Sequence, residues 1–249
     1  MRQCFSIGLF ALLVLSLPGC GGFRDTKPQL PGNLDTLCMP DYASGFEMYR
    51  YDSSTLLRIV NPWQGADSVS QWVFLSRDDE KPPKGFAGET IDVPVRRIVC
   101  MSSSYVAFLE ALGADSTICA ISGTGYIWSD KVRNRIAGGE IAEAGFDNSL
   151  NFEKLVALKP DVVFLYGLTG KNAVTDKLHE LGLKTVYIGD YVENNPLGRA
   201  EWITVFGEFT GRRELARTLF DSISNEYNRA KALVSGVEKR PEVMLNAPW

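Results

Sequence analysis

The residues best placed to do chemistry in this chain stand just after its short apolar runs. Ser102, Ser103 and Tyr105 follow the first such run of the central region, and Thr124, Tyr126 and Trp128 follow the second. Tyr166 and Leu168 follow the third, and Asp190 and Tyr191 the fourth; Trp249, at the C-terminal end, is counted with them. Hydroxyls, phenols and indoles in such a row suit noncovalent recognition of a large, partly apolar ligand with polar edges. The competing reading is that any one of these aromatics merely covers a sheet edge.

Covalent catalysis finds little support. The single histidine, His179, sits on a polar helical face with Asp176, Lys177 and Glu180, and is expected to be solvated. Ser102, Ser103 and Ser104 have no visible base to pair with, and their position at a helix start explains them as caps. One histidine cannot build a multi-histidine metal site, which argues against a receptor for bare zinc or manganese. Asp78-Asp79-Glu80 lies in a polar loop and reads as solvation.

Two glycine-rich stretches are set aside. Gly123-Thr-Gly125-Tyr-Ile-Trp128 begins like a dinucleotide loop, but Trp128 stands where a third glycine must permit close helix–sheet packing. Gly167-Leu-Thr-Gly170-Lys171-Asn172 resembles a phosphate loop, yet its first glycine comes two residues late and Asn172 replaces Ser or Thr.

The elements that must position these residues alternate between strand and helix. Short apolar strands are expected at Arg97 to Met101, Thr117 to Ile121, Asp161 to Tyr166 and Lys184 to Ile188. Between them, helices are expected from a Ser103 or Ser104 cap to Leu112, from Trp128 to Ile136, after an Asn151 cap with Leu155, Val156 and Leu158 inward, and from Asn172 to Leu181. A further helix is read from Pro196 to Thr210. The pattern gives an α/β fold, a mostly parallel sheet flanked by helices. In such sheets ligands bind outside the carboxyl ends of the strands, which is where the row of candidate residues falls.

Before this region, residues 34–95 form a β-rich leading segment, with strands at Phe46 to Tyr51 and Gln71 to Leu75 and a polar loop from Asp78 to Gly88. After it, Leu215, Leu219, Ile223, Tyr227, Ala230 and Val234 mark a long amphipathic helix from Arg212 to Val237, about 39 Å long at 26 residues, within a linker of 212–238. Residues 239–249 read as the opening strand of a second lobe. The expected organisation is therefore a first lobe over 96–211, a linker helix, and a second lobe largely missing.

The N-terminus reads as a targeting segment. Arg2 precedes an apolar stretch from Phe5 to Leu17, too short to span a bilayer comfortably. Leu17-Pro18-Gly19-Cys20 resembles a bacterial lipobox, which makes 1–19 a signal peptide and Cys20 the lipidated residue; 20–33 reads as a tether. An ordinary signal peptide with an incidental cysteine is the alternative. The formal net charge of the 249 residues is -4, and no basic stripe is present, which argues against a nucleic-acid partner. Cys38, Cys100 and Cys119 lack metal-ligand spacing; Cys100 and Cys119 fall in apolar strands and are expected as buried free thiols.

Arg97-Ile-Val-Cys-Met-Ser-Ser-Ser104, followed by Ala107-Phe-Leu-Glu-Ala-Leu-Gly113, resembles the ferric-siderophore/cobalamin class of periplasmic substrate-binding proteins. Asn151-Phe-Glu-Lys-Leu-Val-Ala-Leu-Lys-Pro-Asp-Val-Val163 resembles the same family, in which an Asn-x-Glu helix runs into Leu-Lys-Pro-Asp and an apolar strand. The likeness covers about Arg97 to Trp249. It implies two α/β lobes joined by a rigid helix, with a ferric siderophore, haem or cobalamin in the cleft and no cofactor. It also implies partners: the permease subunits of an ABC importer, reached from the periplasmic side of a bacterial envelope, with the membrane held through a lipid anchor. By its place in the Asn-x-Glu motif, Glu153 is the expected permease-docking residue; a first-turn acid favoured by the helix dipole is the plainer account. The implied protein is not an enzyme. The rival readings are a structural or interaction lipoprotein that keeps the fold, and a chelatase-like enzyme, which would want histidine or paired carboxylates at the strand ends.

Overall fold

The computed structural model describes residues 35–146, 149–167, 173–238 and 242. The signal-like segment, Cys20, Leu168, Asn172, Trp249 and the last expected strand lie outside the described residues.

The leading segment is a five-stranded sheet of β1 (Asp35–Cys38), β2 (Phe46–Tyr51), β3 (Ser54–Val60), β4 (Ser70–Ser76) and β5 (Glu89–Asp92), in sequence order. The first four strands run antiparallel and β5 pairs parallel to β4. Alternation of side chains splits its apolar residues between two faces. Phe46, Met48, Leu57, Ile59, Val73 and Leu75 enter the main core, while Leu56, Trp72 and Phe74 form a smaller cluster on the other side, flanked by Tyr49, Tyr51 and Phe86. The loop after β4 does more than meet solvent. Phe86 packs edge-on against Phe74, and Glu80 accepts from the Ser53 hydroxyl and the Ser54 amide, each at 3.0 Å. Glu80 is thus a hairpin clamp rather than a solvating acid.

The second sheet is wholly parallel, in the order β10-β9-β6-β7-β8. Its strands are β6 (Ile98–Cys100), β7 (Ile118–Ile121), β8 (Ala142–Glu143), β9 (Val162–Leu165) and β10 (Thr185–Tyr187). Three- and four-residue runs with every residue buried are what a sheet covered on both faces requires. The chain starts at the central strand β6, builds outward through β7 to β8, then crosses to β9 and β10. The order reverses between β6 and β9, and that is the switch point at which open α/β sheets form crevices.

The helices are α1 (Ser103–Ala111), α2 (Asp130–Ala137), α3 (Phe152–Leu158), α4 (Ala173–Glu180), α5 (Pro196–Glu201), α6 (Ile203–Thr210) and α7 (Arg213–Leu233). Several differ from the sequence reading. Ser102, not Ser103 or Ser104, caps α1. Ser129 caps α2. In α3, Leu155 is buried but Val156 is 39% exposed. The single helix expected over 196–210 breaks at Trp202, where the Thr204 hydroxyl takes the Glu201 carbonyl and the Val205 amide bonds three residues back to Trp202. Such local side-chain competition tightens the turn.

The long helix α7 has 21 residues rather than 26, about 32 Å at 1.5 Å per residue. Its buried residues are Ala216 and Phe220. Of the apolar stripe read in the sequence, Leu219 is partly buried, whereas Leu215, Ile223, Tyr227 and Val234 are 41%, 44%, 42% and 58% exposed. A close crossing sets the rotation: a Cβ on Gly207 of α6 would stand 2.5 Å from the Ala216 Cβ.

One large core joins the inner face of the leading sheet to β6, β7, β9, β10, α1, α5 and α6. Gln71 of β4 fastens the two sheets: its Nε2 donates to the Thr185 carbonyl at 2.8 Å and its Oε1 accepts from the Tyr187 amide at 2.9 Å, so the side chain pairs with β10 as a strand would. His179 is not simply solvated. It is half-buried, with Nε2 2.7 Å from the Thr185 hydroxyl and 3.4 Å from Glu89 of β5. Cys100 and Cys119 are buried free thiols. No helix among the described residues is long and apolar enough to cross a membrane.

Candidate functional site

A cavity of about 250 Å³ opens outside the carboxyl ends of β6, β7, β9 and β10. From the first strand come Met101, Ser102, Ser103 and Tyr105; from the second, Ser122 and Tyr126; from the third, Tyr166; from the fourth, Asp190 and Tyr191. Phe146, in the loop after β8, closes one side. Ligand pockets that enclose a drug-sized molecule run from about 300 Å³ upward, so this surface alone covers part of a large ligand.

The floor is built from residues whose polar atoms are already engaged. Tyr105 is fully buried, and its hydroxyl lies 3.2 Å from the carbonyls of both Leu165 and Ile188, tying the ends of β9 and β10 together. Burial pushes its phenol well above the ordinary value. Tyr191 donates its hydroxyl to the Gly167 carbonyl and accepts from the Gln64 amide at 3.3 Å. Trp63 forms an isolated parallel bridge with Gly167 and stacks edge-on to Tyr187 at 5.2 Å. The leading segment therefore buttresses one wall of the cavity.

Among the described lining residues Asp190 is the one acid, and it is 7% exposed. Burial raises its carboxyl above the usual aspartate range, although hydrogen bonds from the Ser104 hydroxyl and the Tyr191 amide and the charge of Arg199 pull the other way. Ser104 Oγ in turn lies 3.0 Å from Ser102 Oγ.

The structure brings together Ser102, Ser103, Tyr105, Tyr126, Tyr166, Asp190 and Tyr191 from the residues singled out in the sequence. Thr124 turns away. Its amide and hydroxyl bond to Glu143 Oε2 at 2.8 and 2.6 Å, while the amides of Gly123 and Gly145 bond to Oε1, each at 3.0 Å. Burial raises the Glu143 carboxyl, but these hydrogen bonds outweigh it and leave it below the usual range. The amides that would cradle a phosphate are consumed by this carboxylate. Trp128 is 89% exposed and does not line the cavity.

Glu153 is exposed in the first turn of α3, whose cap Asn151 accepts from the Lys154 amide at 2.9 Å. It pairs with no basic group among the described residues. Because α3 leaves the carboxyl end of the sheet, Glu153 stands on the same side of the fold as the cavity.

Ser122, Phe146, Met101 and Glu143 were missed in the sequence. The last strand before α3, β8, has two residues and leaves no apolar run, so nothing in the sequence marks the loop behind it, with Phe146, as a strand end.

A sequence profile of the family described as "Periplasmic binding protein" matches residues 98–249. Among curated proteins, the chain is similar to two uncharacterized lipoproteins of Methanocaldococcus jannaschii. One is 27% identical over 256 residues, covering 90% of this chain and 61% of that protein. The other is 28% identical over 228 residues, covering 89% and 55%. The chain thus spans somewhat more than half the length of these relatives. Among solved structures, a periplasmic heme binding protein from Pseudomonas aeruginosa aligns with a TM-score of 0.46 at 18% identity, over 57% of this chain and 47% of that one.

Proposed function

Because the chain belongs to the periplasmic binding protein family, we propose that it is a lipid-anchored solute-binding component of an ABC importer, capturing an iron chelate (a siderophore complex or haem) or cobalamin for delivery to the permease. The observation that carries this reading is the cavity at the switch point, where four strand ends converge on an aromatic and hydroxyl-lined surface. Within it, Ser102, Ser103, Tyr105, Tyr126 and Tyr166 are the assigned ligand-facing residues, with Asp190 and Tyr191 beside them. Tyr126 is 70% exposed at the rim, as expected of a ring waiting for a partner surface.

Glu153 is assigned to permease docking. Its exposure, its lack of a cationic partner among the described residues and its place on the cavity side all suit a charge that meets a basic patch on another protein. Cys20 is assigned to lipidation, a reading that the names of the two archaeal lipoproteins support. The role assigned is binding, in keeping with the periplasmic binding protein family.

Titration of the chain with a ferric siderophore, haemin and cyanocobalamin, followed by quenching of its tyrosine and tryptophan fluorescence, tests this reading. Saturable binding of at least one is expected. Absence of binding to all three by a folded sample of the complete protein would remove the transport role and favour a structural lipoprotein.

A further inference from the structure

We infer that the leading sheet is a working part of the binding site: its arm of residues 62–64 fixes the wall formed by Tyr166 and Tyr191, and Trp63, which is not among the described lining residues, is a positioning residue for ligand capture. The inference rests on the solute-binding reading above and deepens it. The family match begins at residue 98, so the arm lies outside it.

The arm reaches the site by wrapping round the edge of the parallel sheet. Successive residues of that sheet point to opposite faces. Ile98, Cys100, Val162 and Phe164 belong to the core that the leading sheet covers, and Val99, Met101, Val163 and Leu165 to the core on the other face. The leading strands bury one set of side chains in the first core, whereas Trp63 packs against the second. Between them, Gln71 pairs along β10, the edge strand. The leading segment thus holds this edge from both faces. Trp63 meets Gly167, just past the carboxyl end of β9, so the wrap falls at the end where the cavity opens.

Two glycines let the arm come close. Gly167 follows Tyr166, and a Cβ there would stand 2.8 Å from the Trp63 ring. Gly189 precedes Asp190, and a Cβ there would stand 3.3 Å from the Pro62 Cα. Pro62 and Trp63 therefore lie flat against the backbone that carries lining residues from β9 and β10. The third contact is polar. The Tyr191 hydroxyl accepts from the Gln64 amide at 3.3 Å and donates to the Gly167 carbonyl, so one phenol joins the arm to both loops. A lining whose side chains are already fixed loses less freedom when a ligand binds, and that difference appears as affinity. Removal of Trp63 takes away the ring that backs Gly167 and Tyr187, and leaves more of the ordering of this wall to the ligand.

The test is calorimetric titration of the complete protein and its variants with haemin, cyanocobalamin and a ferric siderophore, beside the melting temperature of each. Trp63→Ala should weaken whichever of these the unaltered protein binds by about tenfold or more, and Trp63→Phe, which keeps a ring there, should bring affinity back to within about threefold. Gln64→Pro removes the amide donated to Tyr191 and should weaken binding roughly threefold. Gln64 is the second residue of a turn closed by the Ala66 amide on the Trp63 carbonyl at 3.0 Å, with Gly65 at φ +80°, a place where proline suits the backbone. Phe74→Leu, in the separate cluster on the outer face of the leading sheet, should lower the melting temperature yet leave affinity within about twofold. Unchanged affinity in Trp63→Ala, or an equal loss in Phe74→Leu, overturns the inference while leaving the solute-binding reading in place. If Trp63→Ala fails to fold, unchanged affinity in Gln64→Pro overturns it. Binding of none of the three probes by the unaltered protein removes that reading and the inference with it.

Discussion

Trp202 and Glu193 meet at the seam between the leading sheet and the parallel lobe, the indole Nε1 donating to Glu193 Oε1 at 3.0 Å with both side chains buried. The same carboxylate accepts from the amides of Ser44 and Gly45 and from the Ser44 hydroxyl. Next to it, fully buried Glu201 accepts from the amides of Asp41, Tyr42 and Ala43. Five consecutive amides are thus held by two acids, in a stretch that forms no strand of its own.

Glu193→Ala should be among the most destabilising single changes in the chain. It orphans the indole and two amides in a buried seam, and each unsatisfied donor costs about 1–3 kcal/mol. Urea unfolding should show a midpoint shift equivalent to about 3 kcal/mol or more. A near-neutral result would mean that water replaces the carboxylate, and the seam would have to be read as loose.

Gly167→Ala should fail in a way that a second change repairs. A Cβ there would stand 2.8 to 2.9 Å from the Trp63 side chain. Overpacking of this kind costs about 1–3 kcal/mol. Trp63→Ala loses aromatic packing alone, but the double variant should be more stable than the two single losses predict, because the clash disappears. Thermal unfolding of the four proteins measures the coupling.

The two perturbed acids near the cavity should act in opposite directions on stability. Asp190 has its folded value raised by burial, so its contribution is fully present below the unfolded value and is lost as pH rises through the folded one. Asp190→Asn should therefore raise the melting temperature at neutral pH and remove part of the pH slope just above the ordinary aspartate range. Burial raises Glu143 less than its hydrogen bonds lower it, so its contribution is present above the unfolded value and lost as pH falls through the folded one. Glu143→Gln should lower stability at neutral pH and flatten the acid limb. Melting curves between pH 3 and 8 check both signs.

Glu153→Arg should abolish import by the proposed transporter while leaving ligand affinity within about twofold, because an exposed charge outside the cavity acts on association with the permease. Uptake of a labelled ligand and direct titration, measured side by side, separate the two effects. Normal uptake would end the docking assignment.

Much of the fold was legible because burial on both faces leaves uninterrupted apolar strands. Ile98 to Cys100, Ile118 to Ile121, Val162 to Leu165 and Thr185 to Tyr187 each lie within the expected run. Glycine stops and side-chain caps then fixed several helix ends to within a residue or two, as with Asn151 before α3 and Gly211 after α6. What was not legible depended on partners distant in sequence. The stripe Leu215, Ile223 and Tyr227 has helical spacing, but spacing cannot show which side the close approach of Gly207 and Ala216 will bury. Thr124 follows a strand, yet it serves Glu143 from a two-residue strand without a sequence signature. Ser102, Tyr166 and Asp190 did converge, since strand polarity places the residues that follow β6, β9 and β10 at one end of the sheet.

The contact of Gln71 with Thr185 and Tyr187 spans 114 to 116 residues of chain. The leading sheet leaves the ribosome before the parallel sheet, yet its inner face finds its cover in α5, α6 and β10, made about a hundred residues later. Its hairpins can close within microseconds, but they gain their burial only when these long loops close. Refolding speed should therefore follow contacts of high sequence separation rather than local hairpin strength. During synthesis, the leading sheet is made well before its cover, and its apolar face stays open to wrong partners for that interval.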